Sequence, residues 1–585
     1  MANKKIEYED VEYEAVEEEE VVPKIITATE QRQLIRQIEA EYLLAFSFNQ
    51  AKRKVILARL KLYNNQRRDQ EAVGDPLMFS VFNTIHAALY DDRLMAQWEG
   101  RSNDDGDDDV EENLNALSNV DYDIMEKAEL DYEWNWDAEF FGRGLMLEMD
   151  FVRDKGIMAP APEVIDPSTW VRDPRASSVN GKGIRHKGAM RFGGREIGAS
   201  YWELKDHPGY FNTKLLKKDK EVNSLTDEMR DARRAAQGLE NFSQKEETLG
   251  KRENYEFHIL QWFTHWKGKK YLIELGNNRS LVIRIEKLDD RWPILDRVLY
   301  PMAHDWDGVS IPDLTEDKQR ARAVLINLGL KSAKHDVIPT YIFDRQRIKN
   351  TNDLNFRERK FIGVDGRVDN AIAPVQKSTV HQYVDTILNI LDVAAQKATA
   401  TPDMQQGMLS GKDRTLGELQ LISSKVDTRY SMSAKIYGWS ERQFWLQWYR
   451  LYKKHFKDGI DEKIIRIQGA LTPVRRPLTR DNIISFVDPD VRIESRVLAE
   501  AKRRMDRESF MPFASLAIQD PANNRRFIFK RMAKLNGLTK EEIDIMFPQT
   551  VDELQAEEEN VLLNANKLAP ISIQDDHIAH IWIHA

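Results

Sequence analysis

The chain has 585 residues, of which 41% are hydrophobic and 31% charged, and it carries a formal net charge of −10. It contains no cysteine, which excludes disulfides, thiolate metal sites and cysteine nucleophiles. Proteins that hold DNA tightly through phosphate contacts usually carry a basic excess, so either DNA is not a partner or its contacts are weak.

The first hundred residues predict an acidic tail followed by helices. Residues 7–20 are rich in carboxylates, contain no basic residue and lack the apolar core of a secretory signal, so we predict a flexible tail over 1–24. Apolar residues at helical spacing predict a helix over 29–68, and Pro76 at a first-turn position predicts another over 76–98. No apolar run reaches the about 18 residues of a membrane span.

The composition of the Asp-rich run 103–112 could suggest a calcium-binding loop. An EF-hand needs Gly at its sixth position and a bidentate Glu at its twelfth, and neither residue has that spacing here. The run therefore predicts an exposed acidic linker rather than a calcium site.

An α+β body is predicted next. Residues 114–141 predict a helix that Gly142 ends, and 145–151 predict a strand. The charged stretch 214–251 predicts an exposed insert. An antiparallel meander, turned at Gly268 and at 276–278, is predicted over 255–266, 270–275 and 281–285.

Residues 308–456 predict two helices that flank an excursion. Asp313 followed by Glu316 predicts a capped helix that runs to about Lys334. This arrangement of two rods with an end piece suits a stalk better than a catalytic pocket. The returning helix shares one apolar face: Val380, Tyr383, Val384, Ile387, Leu388, Leu391 and Ala394.

The excursion itself predicts short strands at 338–343 and 361–364 around a polar loop, which Pro374 closes. After the returning helix, the Gly, Met and Pro residues of 399–414 interrupt helicity. Residues 415–456 then predict one helix of about 60 Å, which needs partners along its length.

The last third predicts further helices. The first spans about 497–518, and the second spans 523–536 with Gly537 as its stop. Thr539 with Glu542 predicts the cap of a third helix.

The candidate catalytic and ligand-binding motifs lack the residue spacing that their chemistry requires. Gly411 and Lys412 suggest a phosphate loop, but Gln406 and Asp413 occupy the positions that require Gly and Ser or Thr. His577, His580 and His584 have helical spacing and could bind a metal; without a second ligand cluster, packing or interface roles are favoured.

Two other patterns have a chemical and a structural interpretation. Asp488 and Asp490 could form an acid–base pair, but Pro489 between them favours a turn before a strand. Trp445, Trp448 and Tyr452 could stack on bases, but their helical spacing favours core packing. We therefore predict no catalytic, cofactor or metal site.

The predicted excursion carries six basic residues that Asp344, Asp353 and Glu358 offset in part. A charged loop can be simply solvated, or it can be a docking surface at the tip of two helices. The basic residues are Arg345, Arg347, Lys349, Arg357, Arg359 and Lys360.

The order of several short motifs resembles the portal (head-to-tail connector) proteins of tailed bacteriophages. The likeness covers most of the chain outside the acidic tail and is strongest over 308–456. The motifs are IDP at 165–167, RDPRA at 172–176, GVSIP at 308–312, TPDMQQG at 401–407, TLGE at 415–418, DV at 490–491 and DHIAHIWIH at 576–584.

The resemblance implies an α+β, predominantly helical portal fold that forms a ring of twelve copies. The implied segments are a wing at 25–307, stem helices at 308–334 and 377–398, a clip at 335–376, a tunnel loop at 399–414, a long wing helix with strands at 415–490, and a crown at 491–585. The implied channel residues are Lys331, Lys334, Met404, Gln405, Gln406, Met408, Lys412 and Arg414, and the six basic residues of the excursion would form the clip docking surface.

The resemblance also implies a function. The ring would occupy one vertex of a virion capsid, assemble in the host cytoplasm without a membrane, and pass double-stranded DNA during packaging and ejection. The implied partners are major capsid and scaffolding proteins, the large terminase subunit, and head-completion or tail proteins. Another virion structural or scaffold protein, and a DNA-processing enzyme with an unrecognised site, are the alternatives.

Overall fold

The computed structural model divides the chain into two compact units. The first comprises Met1–Ala87, Glu133–Leu147 and Glu163–Ser433, and the second Ala88–Tyr132, Glu148–Pro162 and Ala434–Ala585. The structure describes residues 28–65, 73–90, 94–101, 105–154, 157–207, 209–217, 256–337, 341–344, 346–347, 365, 372–374, 381–399, 401, 416–468, 473–485, 488–495, 509–518, 525–536, 538, 543, 545–547, 555–556 and 559–560.

A five-stranded antiparallel sheet forms the core of the first unit. Its strand order is β4-β5-β6-β7-β8, and the predicted meander is confirmed as its last three strands. Lys267 and Gly268 form the first turn of the meander with positive φ angles of 51° and 76°. The strands are β4 (Val171–Arg172), β5 (Gly193–Ser200), β6 (Glu256–Trp266), β7 (Lys269–Gly276) and β8 (Leu281–Lys287), and the short helix α5 (Tyr201–Asp206) follows β5.

Helix α1 (Ala28–Tyr63) lies on this sheet, as its predicted apolar face requires. Leu34, Ile38 and Tyr42 pack in one buried cluster with strand residues such as Trp262. The Tyr42 hydroxyl donates to Glu196 at 2.7 Å, so the polar end of this aromatic residue is satisfied inside the core.

Helices α2 (Leu77–Tyr90) and α4 (Lys127–Phe141) supply aromatic residues to the first unit. The Tyr63 ring meets the Phe82 and Phe140 rings edge-on, with centroids 5.5 and 5.6 Å apart. Gly142 follows α4 with φ +84°, which confirms its predicted role as the stop. Strand β2 (Gly144–Asp154) pairs antiparallel with β9 (Ile294–Arg297) through Gly144–Leu147, and β3 (Ile157–Ile165) follows β2.

The second unit contains two small antiparallel sheets beside helix α3 (Asp105–Ile124). In one sheet, β1 (Leu94–Glu99) pairs with β14 (Asp490–Ser495). In the other, β12 (Lys463–Gln468) pairs with β13 (Pro473–Leu478).

The aromatic stripe of 444–452 lies in this second core, on helix α8 (Leu416–His455). Trp445, Trp448 and Tyr452 are at most 1% exposed. The packing interpretation is therefore confirmed, and base stacking by these rings is excluded.

Three local predictions were wrong. The run 103–112 is not a linker, because α3 begins at Asp105 and the helical spacing of buried Val110, Leu114 and Leu117 extends its apolar face into the run. The helix predicted over 76–98 ends at Tyr90, and residues from Leu94 onward form β1, whose pairing with β14 overrides the helical pattern. The single helix predicted over 114–141 is broken at Glu126, where φ is +50°.

In the last third, the described helices lie inside the predicted ones. Helix α9 spans 509–517 and α10 spans Arg525–Leu535. The acidic tail, most of the 214–251 insert, Gly411, Lys412, Thr539, Glu542 and the three histidines after 576 lie outside the described residues.

Candidate channel-lining helix pair

The two helices predicted to flank an excursion lie side by side in the first unit. They are α6 (Ile311–Val337) and α7 (His381–Thr399). Arg322 of α6 forms an ion pair with Asp392 of α7, and a Cβ at Gly329 would lie 3.7 Å from a methyl group of Val384. Because the contacts advance along α6 while they go back along α7, the helices are antiparallel.

The chain leaves and re-enters this pair through a short ladder. Strands β10 (Tyr341–Phe343) and β11 (Ile372–Pro374) are antiparallel, with Tyr341 opposite Pro374 and Phe343 opposite Ile372. The strand predicted at 338–343 is thus present over its last three residues, and the one at 361–364 lies outside the described residues. The ladder closes the base of the excursion.

Helix α6 is capped one turn earlier than the sequence predicts. The Ser310 backbone N–H donates to Asp313 Oδ2 at 2.8 Å, and the Asp313 N–H donates to Ser310 Oγ at 3.3 Å. This reciprocal pair is a capping box, so Ser310 is the N-cap and Asp313 takes the role predicted for Glu316.

The charge of Asp313 is stabilised in this position. Burial alone would raise the pKa of its carboxyl, but hydrogen bonds from Ser310 and the guanidinium of Arg59 outweigh burial and lower the pKa. Arg59 lies on α1 and also contacts Glu316, with Nε 2.9 Å from the carboxylate. The cap thus connects α6 to α1.

Polar residues recur along the face of α6 that meets the body of the first unit. The Gln319 amide accepts from the Met78 N–H and donates to the Leu62 carbonyl, each at 3.0 Å. Arg322 Nε lies 2.5 Å from Asp75. We call the α6 residues Asp313, Glu316, Gln319, Arg322 and Asn327 the polar ladder.

Asn327 forms the last rung. Its amide donates to the Val73 carbonyl at 3.0 Å and accepts from the Val73 N–H at 2.9 Å, as a strand neighbour would. This ladder was not predicted, although polar residues three apart from 313 to 322 were a detectable signal in the sequence.

The helix pair exposes an apolar flank. Ile387, Ile390 and Val393 recur every three residues on α7 and are 41%, 62% and 47% exposed, and Val324 and Leu328 are exposed on α6. We call these five residues the apolar flank. Several exposed aliphatic residues on two adjacent helices are typical of surfaces that contact another protein.

The predicted channel residues are described in part. Lys331 and Lys334 are exposed near the end of α6. At the end of α7 the Thr399 hydroxyl donates to the Ala395 carbonyl at 2.8 Å, and Thr399 and Thr401 Oγ1 lie 2.8 Å apart. The other predicted channel residues, Met404, Gln405, Gln406, Met408, Lys412 and Arg414, lie outside the described residues.

Only one basic residue of the predicted docking surface is described. Arg347 is half-buried, with Nε 3.4 Å from Asp344. Arg345, Lys349, Arg357, Arg359 and Lys360 lie outside the described residues. Among the residues that are described, no group of acidic and histidine side chains could hold a metal, and no helix is long and apolar enough to cross a bilayer.

Most of the chain, including the helix pair, matches a known protein family. The model of the phage SU10 portal protein family matches residues 107–559, which is most of the chain and includes both helices of the pair. The chain belongs to the phage SU10 portal protein family. No curated protein matches it significantly.

This portal protein is a structural subunit of a phage capsid. Portal proteins as a class form rings that interact with capsid, terminase and tail proteins. The predicted resemblance is therefore confirmed, and the mixed helix and strand architecture is compatible with the predicted α+β class.

Proposed function

We propose that twelve copies of this portal subunit form a ring around a channel for double-stranded DNA, with α6 and α7 as the stem. The observation that carries the proposal is the apolar flank on two antiparallel helices that a short strand ladder follows and precedes in the chain. In this assignment 335–376 is the clip and 399–414 the tunnel loop. Residues 25–307 and 415–490 form the wing, and 491–585 form the crown.

In the ring, the α7 side of one stem packs against the α6 side of the next. Such a heterologous contact closes on itself when the rotation between neighbours divides a full turn. Burial of an aliphatic side chain contributes about 1.5–3 kcal/mol, so five flank residues can supply a substantial part of each contact. Wing contacts would add to this.

DNA must slide through the channel, so its contacts should be weak. A chain with net charge −10 limits phosphate neutralisation, which is the main sequence-independent source of affinity for DNA. We assign Lys331 and Lys334, together with the tunnel-loop residues Met404, Gln405, Gln406, Met408, Lys412 and Arg414, to the channel surface.

The clip would dock the packaging motor and later the head-completion or tail proteins. Its basic residues Arg345, Arg347, Lys349, Arg357, Arg359 and Lys360 suit acidic partner surfaces. ATP hydrolysis for packaging would belong to the motor, and the subunit itself would be non-enzymatic.

Negative-stain microscopy and mass photometry of the purified chain test the ring. We expect annular particles with a central hole, and compact monomers at every concentration would overturn the proposal. The double variant Ile387→Asp/Ile390→Asp places charges on the flank and should shift most of the protein to monomers, because burying an unpaired carboxylate is costly.

The matched control is Ile460→Asp/Ile464→Asp, which changes two exposed isoleucines of the second unit in the same way. It should leave the rings intact. Rings in both variants would show that the flank is not a subunit contact, and strong duplex DNA binding at moderate salt would contradict the weak-contact assignment of the channel.

A further inference from the structure

A protruding hairpin in the first unit is basic and carries an exposed isoleucine at its tip. The Lys182 N–H donates to the Lys187 carbonyl at 3.0 Å, and the Lys187 N–H donates back at 3.3 Å. Between them Ile184 is 99% exposed. We call residues 181–188 the basic hairpin.

The charge of this hairpin is not balanced locally. Residues 174–195 contain no Asp or Glu, and Lys182, Arg185 and Lys187 are all exposed. Within the described part of the chain none of the three forms an ion pair, whereas Arg191 at the hairpin base lies 2.6 Å from Asp173. Three unpaired cations around an apolar tip, on a chain of net charge −10, indicate a surface for an acidic segment that also carries apolar residues.

The base of the hairpin lies close to the beginning of α1. His265 connects the two, since its ring nitrogen Nδ1 is 2.8 Å from the Arg191 carbonyl and its own carbonyl accepts from Gln37 of α1 at 3.1 Å. Two residues further on, Lys267 forms an ion pair with Glu30 at 2.5 Å.

The chain itself contains a matching segment just before α1. Residues 7–20 hold nine carboxylates and no base, interspersed with Val11, Tyr13 and Val16. Position 28 lies eight steps along the chain from position 20, and an extended chain of that length spans about 27 Å. The acidic segment can therefore reach the neighbourhood of the hairpin from the start of its own α1.

We propose that the basic hairpin binds the acidic segment 7–20 of the same polypeptide. Each exposed ion pair contributes little, so binding depends on several carboxylates facing three cations together and weakens with salt. The valines and the tyrosine of the segment would cover Ile184. The hairpin cations would then be shielded from other polyanions, including DNA outside the channel.

Carbodiimide cross-linking of the full chain, read by mass spectrometry, tests the contact. A mixture of isotopically light and heavy chains distinguishes links within one polypeptide from links between copies. At low salt we expect Lys182 or Lys187 to be joined to carboxylates of 7–20 of the same chain, and the links should disappear at high salt. Links only between copies, or no links while other exposed lysines react, would overturn the proposal.

A fluorescent peptide of residues 7–20 gives an independent readout with the chain that lacks residues 1–24. The variant Lys182→Glu/Lys187→Glu should weaken peptide binding at least tenfold. The control Lys205→Glu/Lys217→Glu has the same change of charge at exposed lysines of the same unit and should bind normally. An equal loss in both variants would overturn the proposal, because it would show only the effect of overall charge.

Discussion

Helices α8 and α7 both carry apolar residues at helical spacing. Among the described residues, the aromatic stripe of α8 is buried, whereas the apolar stripe of α7 is exposed. In the second unit, Trp448 and Tyr452 of α8 are fully buried, and their polar atoms are satisfied by Asp121. The Trp445 ring N–H donates to Glu441 at 3.1 Å. This part of α8 is therefore covered by residues of its own unit.

In the first unit, α7 buries Val384 beside Gly329 of α6 and also buries Ala395, but it leaves Ile387, Ile390 and Val393 exposed. Helix α6 in turn contacts the body of the unit through the polar ladder, and Arg322 of this ladder also pairs with Asp392 of α7. Periodicity in the sequence therefore identifies an apolar helix face, but it does not identify the surface that covers this face. For a ring-forming subunit, the uncovered face is the part that a neighbouring copy is expected to bury.

The largest loss of stability is expected at Asp121, which contacts the buried face of α8. Asp121 accepts hydrogen bonds from Trp448 at 3.0 Å and Tyr452 at 2.5 Å and pairs with buried Lys463. Asp121→Ala leaves that ammonium group buried without its carboxylate, so the second unit should lose about 3–5 kcal/mol of unfolding free energy in urea titrations. Asp488→Ala removes an exposed carboxylate paired with Lys453 and should cost less than about 1 kcal/mol. Similar losses in the two variants would contradict the assignment.

The second largest effect is expected from Arg322 of the polar ladder. Arg322 is shared between Asp75 and Asp392, so Arg322→Ala should loosen both the attachment of α6 and its packing against α7. Charged hydrogen bonds contribute about 1.5–3 kcal/mol, and amide hydrogen exchange over His381–Thr399 should accelerate accordingly. Arg320→Ala is the control, because Arg320 is exposed and, among the described residues, pairs only along the helix with Glu316, an interaction worth about 0.3–0.5 kcal/mol. Unchanged exchange in Arg322→Ala would show that the apolar contacts alone hold α7.

The buried carboxyl of Glu148 is expected to make the stability of the second unit depend on pH. Glu148 is fully buried, and neither of its carboxylate oxygens has a hydrogen-bond partner in the described chain. Burial, assisted by the charge of Glu441, raises its pKa well above the usual value, although Lys127 and Arg450 act in the opposite direction. The folded state therefore favours protonated Glu148, whose stabilising effect is complete below the unfolded pKa and is lost as pH rises through the folded pKa.

Glu148→Gln should remove this dependence. Across that window the wild-type chain should lose up to about 1.4 kcal/mol of unfolding free energy per pH unit more than the variant. The variant should be the more stable protein at the upper end of the window and show no advantage at its acidic end. Thermal unfolding across the pH range measures the difference, and exposed Glu462→Gln should leave the slope unchanged. Parallel slopes for wild type and Glu148→Gln would show that the carboxyl is ionised in the folded protein.

Local signals in the sequence were sufficient for much of the fold. The helix stop at Gly142, the meander over β6 to β8 and the burial of Trp448 depend on turn chemistry and periodicity, which short segments contain. The motif order was sufficient for the family. Strand β1 could not be predicted, because its conformation depends on pairing with β14, almost 400 residues away in the chain.

The candidate site was predicted less completely. The adjacency of the two helices followed from their similar lengths on either side of an excursion, and it is present. The polar ladder was missed because its partners Asp75 and Val73 are distant in sequence, so no local pattern pairs them with Arg322 and Asn327. The exposure of Ile390 could not be predicted either, because a helical apolar face has the same sequence whether its own chain or another copy covers it.

The smallest effect tests where α6 begins. Ser310→Ala removes one partner of the capping box, and loss of an N-cap costs about 1 kcal/mol. Because hydrogen bonds from Ser310 help to lower the pKa of Asp313, the stability they contribute is present above the usual Asp pKa of 3.8 and is lost as pH falls through the folded value. Thermal unfolding should therefore show the full cost of Ser310→Ala at neutral pH and a smaller cost in acid. Ser47→Ala, at an exposed position within α1, should be nearly neutral at both pH values. A cost that stays the same in acid would mean that Ser310 stabilises α6 without Asp313, and the reciprocal cap would then not be what fixes the start of α6.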